Sequence, residues 1–174
     1  MTVNMPIMTH IRRQQGAVRT LIVDDSVVVR TVIERILNNE PAYSVVHKSN
    51  SAELALGYLA DHAVDLVLLD IELPGQSGLA ALPAILKAQA DVKVAILSGK
   101  CEEGSAAAVE ALALGASDIV SKPGSGSFGD QFSQGLIDRL NRWLAWALAP
   151  PPAVSMRWAN CSKACQRRWG CRCC

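Results

Sequence analysis

The sequence predicts an α/β fold: one parallel sheet with helices packed on both faces. Three observations carry that expectation. Short apolar runs alternate with amphipathic helical patterns five times along the chain. Half of the 174 residues are hydrophobic, enough for the core of a single domain. Asp24, Asp25, Asp70, Ser98 and Lys122 each stand at or just past the end of an apolar run. Right-handed crossovers between parallel strands would bring those ends to one carboxyl edge, where open α/β sheets place their chemistry.

The elements follow in order. Thr20–Asp24 reads as a strand, because Leu21, Ile22 and Val23 form the continuous apolar run of a strand covered on both faces. A helix is predicted from Val27 to Asn38, where Val29, Val32, Ile33, Ile36 and Leu37 make one apolar face, and Glu40-Pro41 stops it. Ala42–Lys48 is a weaker second strand. Asn50 and Glu53 have the spacing of a capping box and open a helix through Ala60. Val64–Leu69 is the central strand, ending on Asp70, and Pro74-Gly75 marks a turn. The next helix runs from Gly78 to Ala88, with Pro83 read as lying near its first turn. Lys93–Leu97 is a fourth strand ending at Ser98-Gly99. Ser105–Leu114 is a helix with Gly115 as its C-cap. Asp118–Ser121 is a short fifth strand. Gly124–Ser127 reads as a hinge, and a last helix spans Gly129 to Leu148, with Phe132, Leu136, Leu140, Trp143 and Ala147 on one face.

Composition narrows the function. A net charge of +1 argues against nucleic acid as the partner of the whole chain. No apolar run is long enough to cross a bilayer, and residues 1–17 read as a solvated N-terminal arm without a secretory signal. Cys101 stands alone while five cysteines crowd the last segment, so a disulfide framework is not expected. The expected compartment is the reducing cytoplasm. His10, His47 and His62 are scattered at element edges without metal-ligand spacing.

The candidate site combines three acids, a hydroxyl and an ammonium. Adjacent acids after a buried strand oppose each other's ionisation unless a cation lies between them. Mg²⁺ resolves that conflict, since it takes oxygen ligands and keeps several waters. Asp70 ends the most apolar strand and is the nucleophile candidate, a carboxylate able to attack a phosphoryl group. Ser98 is placed to donate a hydrogen bond to a phosphoryl oxygen. Lys122 supplies a positive charge that can pair first with a carboxylate and later with phosphate. A cis Lys122–Pro123 bond is one way to aim that lysine inward, and the sequence leaves the isomer open.

The ordered set Asp24-Asp25, Asp70, Pro74-Gly75 with Gly78, Ser98 and Lys122-Pro123 resembles the receiver domain of two-component response regulators over residues 18–148. The resemblance implies a doubly wound five-stranded sheet of flavodoxin-like type, in the order 2-1-3-4-5. It implies Mg²⁺ held by Asp25, Asp70 and the backbone carbonyl of Glu72, with Asp24 acting mainly through water. It also implies that a histidine kinase phosphorylates Asp70, that Ser98 and Lys122 bind the phosphate, and that a downstream output protein or domain reads the result. The stretch Ala111–Pro123 is similar to the receiver half of chemotaxis protein-glutamate methylesterases. Because the chain stops soon after the linker, the expectation is a receiver that catalyses only its own phosphorylation and dephosphorylation, not an enzyme of the methylesterase kind. Where the family often carries an aromatic switch residue this chain has Ile119, so the switch is expected to run through Ser98 and a repacking of the helix over 105–114.

Two other readings compete. A flavodoxin-like cofactor domain would need a phosphate-cradling loop after Leu21–Val23, and Asp24-Asp25 repels phosphate in the absence of metal. A Mg²⁺-dependent phosphohydrolase with an aspartate nucleophile would use Glu72, two residues after Asp70, as general acid, but no cap domain or further acid motif follows. Residues 149–174 read as a proline-rich linker and a disordered Cys/Arg/Trp-rich tail, such as a truncated or frameshifted reading frame would leave. Cys161, Cys165, Cys171 and Cys173 have spacing too irregular to specify zinc, and the basic residues beside Trp158 and Trp169 are a weak nucleic-acid signal.

Overall fold

A computed structural model of the chain describes residues 16–89, 91–99, 105–123 and 128–148, the last six of these in backbone only. His10, Cys101, the 124–127 hinge and the 149–174 tail lie outside the described residues, as do the side chains of Trp143 and Ala147. The chain divides into two compact units, Met1–Ile137 and Asp138–Cys174.

Among the described residues ten elements alternate strictly. They are β1 (Val18–Val23), α1 (Val27–Asn38), β2 (Tyr43–Ser49), α2 (Ala52–Asp61), β3 (Leu66–Asp70), α3 (Gly78–Ala88), β4 (Lys93–Ser98), α4 (Ala106–Ala113), β5 (Asp118–Ser121) and α5 (Asp130–Leu148). All strands pair in parallel in one sheet of order β2-β1-β3-β4-β5. This is the doubly wound architecture expected from the sequence.

The central strand explains the layering. Every residue of β3 is buried, as a strand covered on both faces requires. Leu21, Val23, Val67, Leu69, Val94 and Ile96 form one core with Ala55 and Leu59 of α2, Leu82 and Ile85 of α3, and Ala108 and Ala111 of α4. Strand alternation sends Ile22, Leu68 and Leu97 to the other face, and they too are fully buried.

Helix ends obey local chemistry. Ser26, Ser51, Ser77 and Ser105 cap α1 to α4, each hydroxyl accepting from the amide three residues on. The cap of α2 is thus Ser51 and not Asn50. Glu53 still serves this end: its own amide and then the Ser51 hydroxyl hold its carboxylate below the usual range, and the Gln76 amide adds to them. Gly115, at φ 105°, sends its amide to Leu112 O, and the Ala116 amide reaches Ala111 O, so α4 ends in a Schellman turn. Pro83 is the sixth residue of α3, past the first turn where it was expected. It sits on the exposed side of the helix, and α3 continues through it to Ala88.

The opposite, amino-terminal edge of the sheet carries an ion pair in which Asp65 is buried and Arg19 is partly exposed. Arg19 Nη2 donates to Asp65 Oδ1 at 2.8 Å, and the Arg19 Nε and backbone amide donate to Oδ2 at 3.1 and 3.0 Å. The Asp65 amide returns a bond to Arg19 O at 2.9 Å, tying the start of β1 to the residue before β3. Asp65 is buried, so its carboxylate depends on these donors. Asp65→Ala is expected to cost about 2–3 kcal/mol, the scale of a hydrogen-bonded charge lost from a buried site, as a lower urea midpoint at unchanged slope.

Candidate functional site

Strand register sets the site. In the β3–β4 pairing Asp70 lies beside Leu97, and in the β4–β5 pairing Ser98 lies beside Ser121. The Lys122 amide then donates to Ser98 O at 2.7 Å, locking the ends of β4 and β5 together. On the other side the Asp24 amide donates to Ser49 O at 3.1 Å, continuing the β1–β2 ladder one residue past the strand. Asp24, Asp70, Ser98 and Lys122 therefore arrive at one edge because four parallel strands end there in step.

The side chains converge. Lys122 Nζ lies 2.6 Å from Asp24 Oδ2 and 2.7 Å from Asp70 Oδ2. Asp25 joins them: one carboxylate oxygen from each of Asp24, Asp25 and Asp70 lies within 4.8 Å of the others. Asp24 and Asp70 are buried and Asp25 is exposed, so the cluster opens to solvent on the Asp25 side. Lys122 reaches the acids with a trans bond to Pro123, since no peptide bond among the described residues is cis.

The loops are held by backbone contacts. Asp24 Oδ1 accepts from the Ser26 amide at 2.9 Å, turning the chain into α1. The Glu72 amide donates to Asp70 Oδ1 at 3.2 Å, which fixes one oxygen of Asp70 and leaves the other to Lys122. The Glu72 side chain points to solvent. Gly78 explains why α3 starts where it does: a Cβ there would stand 1.9 Å from the Asp70 backbone oxygen. Only a glycine lets the helix approach the strand end this closely. Ile119 is buried in the same core cluster as Ala108 and Ala111 of α4.

Electrostatics make the pocket incomplete by itself. Three carboxylates and one ammonium leave two formal negative charges at the edge of an apolar core. Burial pushes the Asp70 carboxyl above its ordinary value, Lys122 pulls it back, and the Asp24 charge raises it again. Asp24 Oδ2 is buried with no aligned hydrogen bond, facing the Lys122 charge alone of the partners described. An all-oxygen donor set with excess negative charge and an open side fits a small hard divalent cation such as Mg²⁺.

Sequence reading identified the acids, Ser98 and Lys122, and missed the groups that hold them. Gly78 appeared there as part of a motif without a reason, and its reason is the contact with Asp70. Arg30 was not singled out, although one basic residue inside the apolar run Val27–Ile33 was a visible signal. Its guanidinium bonds the loop carbonyls of Asp24 and Asp25. His47 and His62 are not merely edge residues: their rings stack on either side of Tyr58, with centroids 4.2 and 4.1 Å away.

Comparison with known proteins places this geometry. Residues 20–127 match the family described as the response regulator receiver domain. A protein-glutamate methylesterase/protein-glutamine glutaminase of Caulobacter vibrioides is 40% identical over 136 residues, which is 77% of this chain and 39% of that protein. One from Rhodospirillum rubrum is 34% identical over 72% of this chain and 33% of its own length. The response regulator domain of Thermotoga maritima CheB superposes with a TM-score of 0.67 at 32% identity, over 77% of this chain and 99% of that one. CheY6 of R. sphaeroides, crystallised with the P1 domain of CheA3, gives 0.63 at 31% identity, over 75% of this chain and 99% of that chain.

These relatives correct one expectation. The sequence was read as that of a non-enzyme because it ends soon after the linker. The curated relatives are named as enzymes, and this chain spans about a third of their length. A regulatory segment carries no trace of the chemistry joined to it, so the end of this sequence gives no ground for excluding that activity. No helix among the described residues is long and apolar enough to cross a membrane.

Two outcomes follow from this geometry. Gly78→Ala is expected to destabilise the fold by about 1–3 kcal/mol, the usual cost of overpacking, and to move the Asp70 and Ile71 amide resonances most. Asp70 holds its proton more tightly folded than unfolded, so it favours the folded state at low pH and less so as pH rises through its raised value. In chelator, Asp70→Asn is therefore expected to be the more stable protein at neutral pH. That advantage should close on acidification, as read by urea unfolding across pH.

Proposed function

This chain belongs to the response regulator receiver domain family, and on that footing we propose that its acidic pocket is a phosphoacceptor site, with Asp70 taking a phosphoryl group from a histidine kinase. The observation that carries the reading is the shared lysine: one ammonium within 2.7 Å of two buried carboxylates, beside a third acid open to solvent. A structural ion pair would need one acid. Three at one sheet edge leave a charge deficit that a cation and then a phosphoryl group would use.

The residues divide the work. An Asp70 oxygen attacks phosphorus as the bond to the kinase imidazole breaks, and the imidazole regains a proton. Water later attacks the acyl phosphate, returning inorganic phosphate and the free carboxylate. Asp25, Asp70 and the Glu72 carbonyl would hold Mg²⁺, with Asp24 acting through water. When bound, that ion would neutralise charge on the transferred oxygens. Lys122 starts on Asp24 and Asp70 and follows the negative charge outward onto the new phosphate. Ser98, buried one residue past the level of Asp70 on the neighbouring strand, donates its hydroxyl to a phosphoryl oxygen.

Phosphorylation would shift an equilibrium between two conformers, because the phosphate contacts of Ser98 and Lys122 exist in one of them. The Ser98 shift would pass to α4, whose Ala108 and Ala111 share one buried cluster with Val94, Ile96 and Ile119. The receiver module would comprise residues 18–148, with the arm before it and the Cys/Arg/Trp-rich segment after it serving as extensions. The cytoplasm is the compartment consistent with a kinase partner. The names of the curated relatives favour a methylesterase/glutaminase of chemotaxis signalling as the output under control.

Labelling from radioactive acetyl phosphate tests the site. Incorporation is expected in the wild type with Mg²⁺, at least tenfold less in chelator, and none in Asp70→Asn, which should also bind Mg²⁺ more weakly. Equal labelling of Asp70→Asn would defeat the assignment.

A further inference from the structure

We infer that Arg30 is a positioning residue for the acidic pocket, acting through the backbone to aim Asp25 at the cation. Its Nη1 donates to the carbonyl of Asp24 and, at 3.0 Å, to the carbonyl of Asp25. These carbonyls belong to the peptide planes on either side of the Asp25 α-carbon. Fixing both planes fixes φ and ψ of Asp25 and so the direction in which its Cα–Cβ bond leaves the loop.

Asp25 needs such help more than its neighbours do. Asp24 is buried and anchored through Oδ1 to the Ser26 amide. Asp70 is the last residue of a fully buried strand and is held by the Glu72 amide. Asp25 is exposed and lies past the end of β1, yet its carboxylate stands within 4.8 Å of the other two. The Arg30 contact is also well founded. The Arg30 amide bonds Ser26 O at 3.1 Å in the first turn of α1, so the guanidinium folds back over the loop from a rigid helix. Placing a positive charge beside these acids would, by charge alone, weaken cation binding. An arginine there contributes through geometry: Nη1 alone carries the two N–H groups that the two carbonyls need, and it stands one bond farther from the backbone than a lysine ammonium would.

The inference rests on the metal-assisted reading of the pocket and is tested separately from it. Mg²⁺ is titrated by calorimetry into the folded wild type, Arg30→Lys and Arg30→Gln, with folding checked by amide spectra. Arg30→Lys keeps the charge but ends one bond short of the Nη1 position that bonds both carbonyls, and is expected to raise the Mg²⁺ Kd about three- to tenfold. Arg30→Gln removes the charge and is shorter still, and is expected to bind more weakly than the wild type as well. In the wild type, the Arg30 side-chain ¹⁵N spectrum is expected to show separate Nη signals of a guanidinium held still. A lysine variant with wild-type affinity, a tighter-binding glutamine variant, or averaged Nη signals in the wild type would each overturn the clamp. Wild-type protein that binds no Mg²⁺ would instead overturn the underlying reading of the pocket.

Discussion

Two carboxylates, Asp24 and Asp70, are withdrawn from water at the edge of an apolar sheet, and a single ammonium answers both of them. That arrangement could not persist on a flexible scaffold. Lys122 stands just past the end of a four-residue strand, and its own amide is fixed to Ser98 O at 2.7 Å. A lysine free to swing would exchange a costly buried pairing for solvation, since a long side chain gives up rotamer entropy to stay in place. Here the backbone carries that constraint. The parallel register makes the strand ends coincide, and the coincidence of strand ends makes the site.

The same logic explains why the supporting contacts are mostly to main-chain atoms. Gly78 meets the Asp70 carbonyl, the Glu72 amide meets Asp70 Oδ1, the Ser26 amide meets Asp24 Oδ1, and Arg30 meets two loop carbonyls. Side chains that will change partners cannot also be anchors. Fixing the backbone around them lets Lys122 and the carboxylate oxygens rearrange while the distances between strand ends stay the same. The Arg19–Asp65 pair on the far edge does the complementary work: it joins the starts of β1 and β3, whose ends carry Asp24 and Asp70.

How much of this was legible in the sequence depends on how local the cause is. Helix α1 is bounded at both ends from the sequence, because its apolar face and the stop at Glu40-Pro41 are local signals, and the structure adds the Ser26 cap. The cap of α2 was displaced by one residue: Asn50 and Ser51 are equally good caps by chemistry, and the choice is made by burying Ala52 as the first helical residue. Strand β1 begins at Val18, two residues before the predicted start at Thr20, because its start is paired by β2 and held by Asp65. The acids, Ser98 and Lys122 were legible because strand ends can be read from hydropathy. Gly78 against Asp70 and Arg30 against the loop were not, since each depends on a close approach that exists only once the helices are packed.

The resting pocket is poised because its electrostatics are balanced but not satisfied. Burial and Asp24 work against ionisation of Asp70 while Lys122 works for it, and two negative charges remain in excess. On the proposed reading, such a pocket would respond to a cation and to a phosphoryl group, because each new charge would change which partner Lys122 prefers. The response has a short way to travel. Lys122 is bonded through its amide to Ser98, Ser98 ends β4, and Val94, Ile96 and Ile119 belong to one buried cluster with Ala108 and Ala111 of α4. A shift at the strand ends would reach α4 through that cluster. On the proposed reading, that is how a change of charge at Asp70 becomes a change of shape at a surface where Val109 and Leu112 stand exposed.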